Sequence, residues 1–334
     1  MPLDVIVTDD GTVCHRAGGT AANVAAILAY LGFQALLAGQ AGDDYGGDIL
    51  AADLAAAGVD TTHIHRSGGM QTPRLIHSVR SDGHSFSYRC PACQRALPRS
   101  RPLTIDQARI CIEVTPRTDA YFFDRANAAT LLLAEHYAHA GATIVFEPSV
   151  PANAEYLRRA AAVAHVIKHS DDRSVGGLDD IGVRPRDGQL RIVTHGDAGL
   201  ELRNGTELPR CFPAARASAR DAGGAGDWTT AGLIAVAVTT GSMGSGRIDD
   251  AIRFGQALAA LSCTAIGARG LMTLTRRTVL GHAKRVMRDG SVAAAPRFPR
   301  LPQTNQEKPG LCHTCVLPDV PIRTGHGVRR VTAA

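Results

Sequence analysis

Aromatic residues supply only 4% of this 334-residue chain and tryptophan occurs once, so alanine and aliphatic side chains must fill most of its interior. No apolar run approaches the roughly 20 residues of a membrane-spanning helix, which excludes a helical membrane anchor within these residues. The amino terminus lacks the charged-then-apolar pattern of a secretory signal. These two absences lead to the expectation of a cytoplasmic protein with no membrane partner. A strong charge of either sign is missing too. The formal net charge is +5, and arginine is spread along the chain. A dedicated nucleic-acid binder concentrates its basic residues, so a nucleic-acid partner is not expected. There is no internal repeat. What is present is 45% hydrophobic residues, enough for a substantial core in one large domain or two smaller ones.

Residues 221–228 read Asp-Ala-Gly-Gly-Ala-Gly-Asp-Trp, and the apolar stretch Thr229 to Val238 follows. A small-residue turn that opens a helix presents backbone N–H groups at the positive end of the helix dipole. That is a cradle for an anion such as phosphate. Asp227 stands at its edge, where a carboxylate can take a proton from an attacking hydroxyl. Anion hole and base together make a minimal phosphoryl-transfer site. Taken alone, the segment also reads as a glycine-rich turn whose Asp caps the helix.

A second glycine motif occupies residues 17–32. Val24, Ile27, Leu28 and Leu31 recur at helical spacing; Gly18 and Gly19 open this helix and Gly32 closes it. Asn23 lies in its first turns. A strand (Gln34–Leu37), the segment Gly-Gln-Ala-Gly-Asp-Asp-Tyr-Gly-Gly (39–47), a helix to Ala57 and Gly58-Val59-Asp60 come next. With Gly18-Gly19…Asn23, Gly39…Gly42-Asp43…Gly46 and Asp221…Gly224-Ala225-Gly226-Asp227, the chain resembles the ribokinase-like (PfkB) carbohydrate kinase family. Two long motifs in the right order, some 200 residues apart, are far more specific than either alone. The resemblance covers roughly residues 3–275, weakens over 90–120 and is lost after about 290.

The rest of the chain fits an α/β protein. Arg74–Arg80 and His84–Arg89 flank Ser81-Asp82-Gly83 and read as a β-hairpin, because Asp-Gly favours a tight turn. The resemblance makes this hairpin part of a small β-lid over the sugar; the alternative is an edge hairpin of the main sheet. Strands at 120–124, 143–147, 165–169 and 191–195 alternate with helices at 126–139 and 152–164, and a further helix spans 248–266. Such alternation predicts a doubly wound, mostly parallel sheet with helices on both faces. Ligands bind beyond the carboxyl ends of such strands, where Asp124, His169, Thr194 and Gly196 fall. Residues 1–290 form the expected kinase domain, and the proline-rich 291–334 an extended tail.

The resemblance implies ATP-dependent phosphorylation of a hydroxyl on a sugar or sugar-like molecule, with Mg²⁺ bridging the phosphates. Asp227 is then the general base, and the Gly224, Ala225 and Gly226 amides stabilise the transferring group. Asp4 is the sugar-binding carboxylate on the first strand, supported by Gly18, Gly19 and Asn23. Thr194, Gly196 and Gly199 fall on the nucleotide side, Gly267 at the wall of the adenine pocket, and Asp221 orients the loop or helps hold a cation. Whether a monovalent cation is needed is left open. So is dimerisation: the family often dimerises through the lid, which the cysteine segment and tail would otherwise cap.

Three features depart from the family. Only three residues precede Asp4, where the family has most of a central strand. The strand is shortened or the true start lies upstream, and a missing central strand leaves its neighbours' ladder groups unpaired. Residues 168–173 read Lys-His-Ser-Asp-Asp-Arg, where Ser170 and Arg173 replace the family's Asn and Glu, and Asp171 or Asp172 stands in for them near the metal. Cys90-Pro-Ala-Cys93 and Cys312-His-Thr-Cys315 supply four thiolates suited to structural Zn²⁺, with disulfides or unrelated thiols as the alternatives. Cys14, Cys111, Cys211 and Cys263 show no such spacing. Two other functions stay in view: a nucleoside kinase of the same family, and a non-catalytic binding protein with a zinc-tethered tail.

Overall fold

The computed structural model describes residues 1–299 apart from 82, 91–92, 150–151, 172–181 and 242–244. Cys312, Cys315, Asp172, Arg173 and most of the tail therefore lie outside the described residues.

The chain opens with a hairpin, β1 (Leu3–Thr8) and β2 (Val13–Ala17), whose register pairs Leu3 with Ala17. Helix α1 (Thr20–Leu31) follows, opened by Gly19 at φ 88° and closed by Gly32 at φ 100°. Next come β3 (Ala35–Leu36), β4 (Gly39–Gly42), α2 (Tyr45–Ala56), β5 (Val59–Asp60) and β6 (Ile64–Ser67). These strands pair in parallel as β3 with β5 and β4 with β6. Then β7 (Arg74–Arg80) and β8 (Gly83–Ser87) form the expected hairpin, and β7 lies parallel to β1 in a separate sheet of order β2-β1-β7-β8. The hairpin is thus part of the lid and not an edge of the main sheet. Leu3–Thr8 is a lid strand as well, with Asp4 at its beginning.

The main sheet is built from α3 (Ile105–Val114), β9 (Ala120–Phe123), α4 (Ala128–His139), β10 (Thr143–Phe146), α5 (Ala154–Val163), β11 (Val166–Ser170) and β12 (Leu190–Thr194). Its strand order is β14-β13-β12-β11-β10-β9, parallel from β9 to β12. Two antiparallel strands, β13 (Leu200–Asn204) and β14 (Arg210–Phe212), finish one side. Three helices follow among the described residues: α6 (Ala225–Thr240), α7 (Ser245–Ser262) and α8 (Arg276–Asp289). The helix expected over 248–266 ends at Ser262, and hydrogen-bonded turns take over from there.

Strand alternation divides the core into two layers. Ile144, Phe146 and Ile167 join Leu131, Leu133 and Leu157 on the face covered by α3, α4 and α5. Val145, Val166 and Ile192 face Trp228, Leu233, Ile252 and Leu258 on the other. Helix α6 is buried on nearly every side, which suits its almost unbroken apolar sequence. No helix among the described residues is long and apolar enough to cross a membrane.

A cleft of about 1230 Å³ separates β3 and β4 from β9, lined by Ala35, Leu37, Gly39, Ala120, Phe122 and Ile234 among others. Among the described strands, β9 pairs only with β10, β3 only with β5 and β4 only with β6. Asp119 and Phe123 accept from β10 amides, so by alternation the Tyr121 and Phe123 amides point toward β10 and those of Ala120 and Phe122 toward the cleft. Residue-resolved hydrogen exchange should find Ala120 and Phe122 exchanging much faster than Tyr121 and Phe123. Equal protection of all four would mean that the cleft edge is paired in solution.

Candidate active site

Two helix N-termini converge from opposite ends of the chain. Neither α1 nor α6 has a side-chain cap, since glycine occupies both cap positions. Each opening turn therefore keeps the positive end of its dipole toward a shared space. Asn23 Nδ2 donates to Asp227 Oδ2 at 2.8 Å, and both side chains are buried. One sequence motif thus touches the other through this hydrogen bond. Behind it, the Tyr30 and Trp228 rings meet edge to face at 6.0 Å. Trp228 Nε1 donates to Ala268 O at 2.8 Å, pinning the start of α6 to the turn beyond α7.

The glycine loop is shaped by close approach. Gly224 has φ 86°, and a Cβ there would lie 2.5 Å from Ala268 Cα, so only glycine fits. The Ala225 amide donates to Ala222 O at 3.2 Å, so an incoming anion would compete with that bond. Under the loop lies an ion pair that sequence reasoning missed. Lys168 Nζ on β11 donates to Glu147 Oε1 at 2.7 Å, and Glu147 Oε2 accepts from Thr230 Oγ1 at 2.7 Å. Lys168 is 1% exposed, and a Cβ on Gly226 would sit 3.5 Å from its Nζ. Removing one member of such a pair costs about 3–5 kcal/mol, because the other charge is left buried and unpaired.

Asp221 acts as a clasp. Its Oδ1 accepts from the Gly223 amide at 2.8 Å and its Oδ2 from the Gly267 amide at 2.7 Å. One carboxylate therefore ties the glycine loop to the turn at 267. Burial opposes its charge, but His77 and the two amides outweigh that and hold its pKa below the usual carboxylate range. Gly267 is placed by this bond.

Asp4 has the opposite balance. Its carboxylate packs on Gly18, where a Cβ would fall 1.9 Å from Asp4 Cγ. Its Oδ1 is buried with no hydrogen-bond partner. Burial pushes its pKa up to about 7, against the pull of His77 and Arg269. The turn at Gly18 is held from outside, since Asp53 accepts from the Ala17 amide at 2.8 Å and Arg269 Nη2 donates to Ala17 O at 2.6 Å and to Asp53. Asp53 and Arg269 carry no local sequence signal; only the fold brings them together across 216 residues.

Thr194, Gly196 and Gly199 form a separate group at the carboxyl end of β12. Ser170 ends β11 opposite Thr194, and Asp171 Oδ2 meets His195 Nδ1 at 2.6 Å. Cys90 is buried against Val5, Val13, Ile76 and Leu97, while Cys93 is exposed. Cys14 and Cys111 are buried, Cys263 is partly buried and Cys211 is exposed.

Asp4 makes a direct prediction. A carboxyl group whose pKa is about 7 when folded and about 3.9 when unfolded binds more protons in the folded state between those values. Stability must fall as pH rises through that window, by at most about 1.4 kcal/mol per pH unit, and level off above it. Urea unfolding of wild type and Asp4→Asn across this range should show that slope in wild type alone. Parallel profiles would contradict the burial assigned to Asp4.

Known proteins resemble this chain in sequence and in fold. The family model described as pfkB family carbohydrate kinase matches residues 4–274. An ATP-dependent ribose-1-phosphate kinase of Halopiger xanaduensis is 31% identical over 282 residues, covering 82% of this chain and 90% of the relative. A fructokinase of Klebsiella pneumoniae is 27% identical, covering 70% and 80% respectively. The crystal structure of aminoimidazole riboside kinase from Salmonella enterica with aminoimidazole riboside and an ATP analog superposes with a TM-score of 0.67 at 21% identity, covering 84% of this chain and 97% of that one.

Proposed function

Because the chain belongs to the pfkB family of carbohydrate kinases and is an ATP-dependent carbohydrate kinase, we propose that Asp227 is its general base and that the residue 224–226 loop is its anion hole. The observation that carries this reading is the 2.8 Å bond from Asn23 to Asp227 where the two helices begin. That bond holds the Asp227 carboxylate at the lip of the loop. The first turn of a helix favours the ionised form, so the group is ready to accept a proton.

The loop fits a phosphate by its donors and its shape. Backbone amides of an uncapped helix face it, and no Cβ can form at Gly224. ATP supplies the transferable phosphoryl group. Mg²⁺ bound with it needs few protein ligands, because phosphate oxygens complete most of its shell. On the acceptor side, Asp4 Oδ1 and Asn23 Oδ1 are both buried without a partner. Buried polar atoms of this kind cost free energy until they are paired, so neighbouring hydroxyls of a sugar-like acceptor would satisfy both. As the acceptor hydroxyl attacks, Asp227 takes its proton, and the loop amides stabilise charge on the group in transit. Asp221 and the Lys168–Glu147 pair position the loop and touch neither reactant.

The test is ADP release with Mg²⁺-ATP and a panel containing free pentoses and hexoses, ribose 1-phosphate and other sugar phosphates, and nucleosides. Acceptor-dependent turnover is expected, with kcat lowered about 10²-fold or more in Asp227→Asn. A mutant within a few-fold of wild type would remove Asp227 from the base role.

A further inference from the structure

Two histidines of the lid hairpin face the Asp221 clasp. His77 lies on β7 and His84 on β8, where the register sets His77 opposite Phe86. Alternation along β8 puts His84 and Phe86 on one face. The Phe86 ring stacks on His77 at 4.5 Å and meets the edge of His84 at 5.4 Å. His77 Nε2 lies 3.4 Å from Asp221 Oδ1, and His84 Nδ1 lies 3.3 Å from the same oxygen. All three atoms fall within 4.8 Å of one another.

These separations are too long for strong charge-assisted hydrogen bonds, which close to about 2.7–2.9 Å. They match the edge of a tetrahedron, which is about 3.3 Å when metal–ligand bonds are about 2.0–2.1 Å. An independent observation points the same way. His77 is 2% exposed and its Nε2 has no hydrogen-bond partner, an arrangement that costs free energy unless something else satisfies that nitrogen. The carboxylate is already oriented by the Gly223 and Gly267 amides, the outer-shell support that metal ligands require.

We propose that His77, His84 and Asp221 bind a divalent transition ion of the zinc class, stapling the lid hairpin to the glycine loop. Two imidazoles and one carboxylate leave a fourth position for water or an anionic oxygen. The nitrogen ligands favour zinc, cobalt or nickel over magnesium, which prefers oxygen. The site is distinct from the cysteine pairs and from Mg²⁺ carried with ATP, and it does not rest on Asp227 acting as base.

Cobalt(II) titration of the full chain, followed by visible absorption, tests this without reading activity. One equivalent should bind, with ligand-field bands of a nitrogen–oxygen site and no thiolate charge-transfer band for that equivalent. His84→Ala, a partly exposed position, and His77→Phe, which keeps a ring against Phe86, should each weaken binding at least about tenfold, with folding checked by circular dichroism. If His77→Phe fails to fold, His84→Ala decides alone. Absence of a bound-cobalt spectrum in wild type would overturn the proposal, leaving an ordinary histidine–aspartate contact. A spectrum unchanged by substitution in the folded variants, or one that carries only thiolate bands, would overturn it as well.

Discussion

The hydrogen bond from Asn23 to Asp227 is the constraint on which the remaining architecture depends. It spans 204 residues and joins the openings of two helices that share no strand. For the bond to form, both helices must end their approach at one point, with glycine at each cap. The Tyr30–Trp228 contact and the Trp228–Ala268 bond fix the crossing behind that point. Helix α6 is buried along most of its length, with Gly224, Ala225 and Gly226 half-buried at its opening. Packing sets the position of the dipoles, and the dipoles set what the site can hold.

Two buried carboxylates in this region show how environment separates roles. Asp221 is surrounded by two amides and two imidazoles, so its charge is stabilised and it serves as a fastening. Asp4 has one oxygen with no partner and a raised pKa. The first has its hydrogen bonds within the protein; the second keeps one oxygen without any. The Lys168–Glu147–Thr230 group belongs with Asp221, since its polar atoms serve one another beneath the loop. The loop is thus held by groups whose hydrogen bonds are made within the protein.

Much of this was legible in the sequence where the signal is local. Helical spacing marked α1, the apolar stretch after the glycine turn marked α6, glycines marked both helix openings, and Asp82-Gly83 marked the hairpin at β7 and β8. The short glycine-rich strand β4 carries no strand signal, because its composition is that of a turn. β2, β6, β13, β14, α3 and α8 went unread. The segment around Asp4 was matched to the family's first strand, but only pairing shows that Leu3–Thr8 belongs to the lid. Asp53 with Arg269, Lys168 with Glu147, and His77 and His84 with Asp221 were illegible for one reason. Each joins charged groups distant in sequence, and nothing in the flanking residues of either names the other.

A double-mutant cycle on kcat between Asn23→Ala and Asp227→Asn tests the central claim most directly. If Asn23 acts by holding the Asp227 carboxylate, its loss should slow the wild type at least about tenfold but change Asp227→Asn little, giving strong non-additivity. Fully additive effects in folded proteins would contradict the account, because the two residues would then be acting independently.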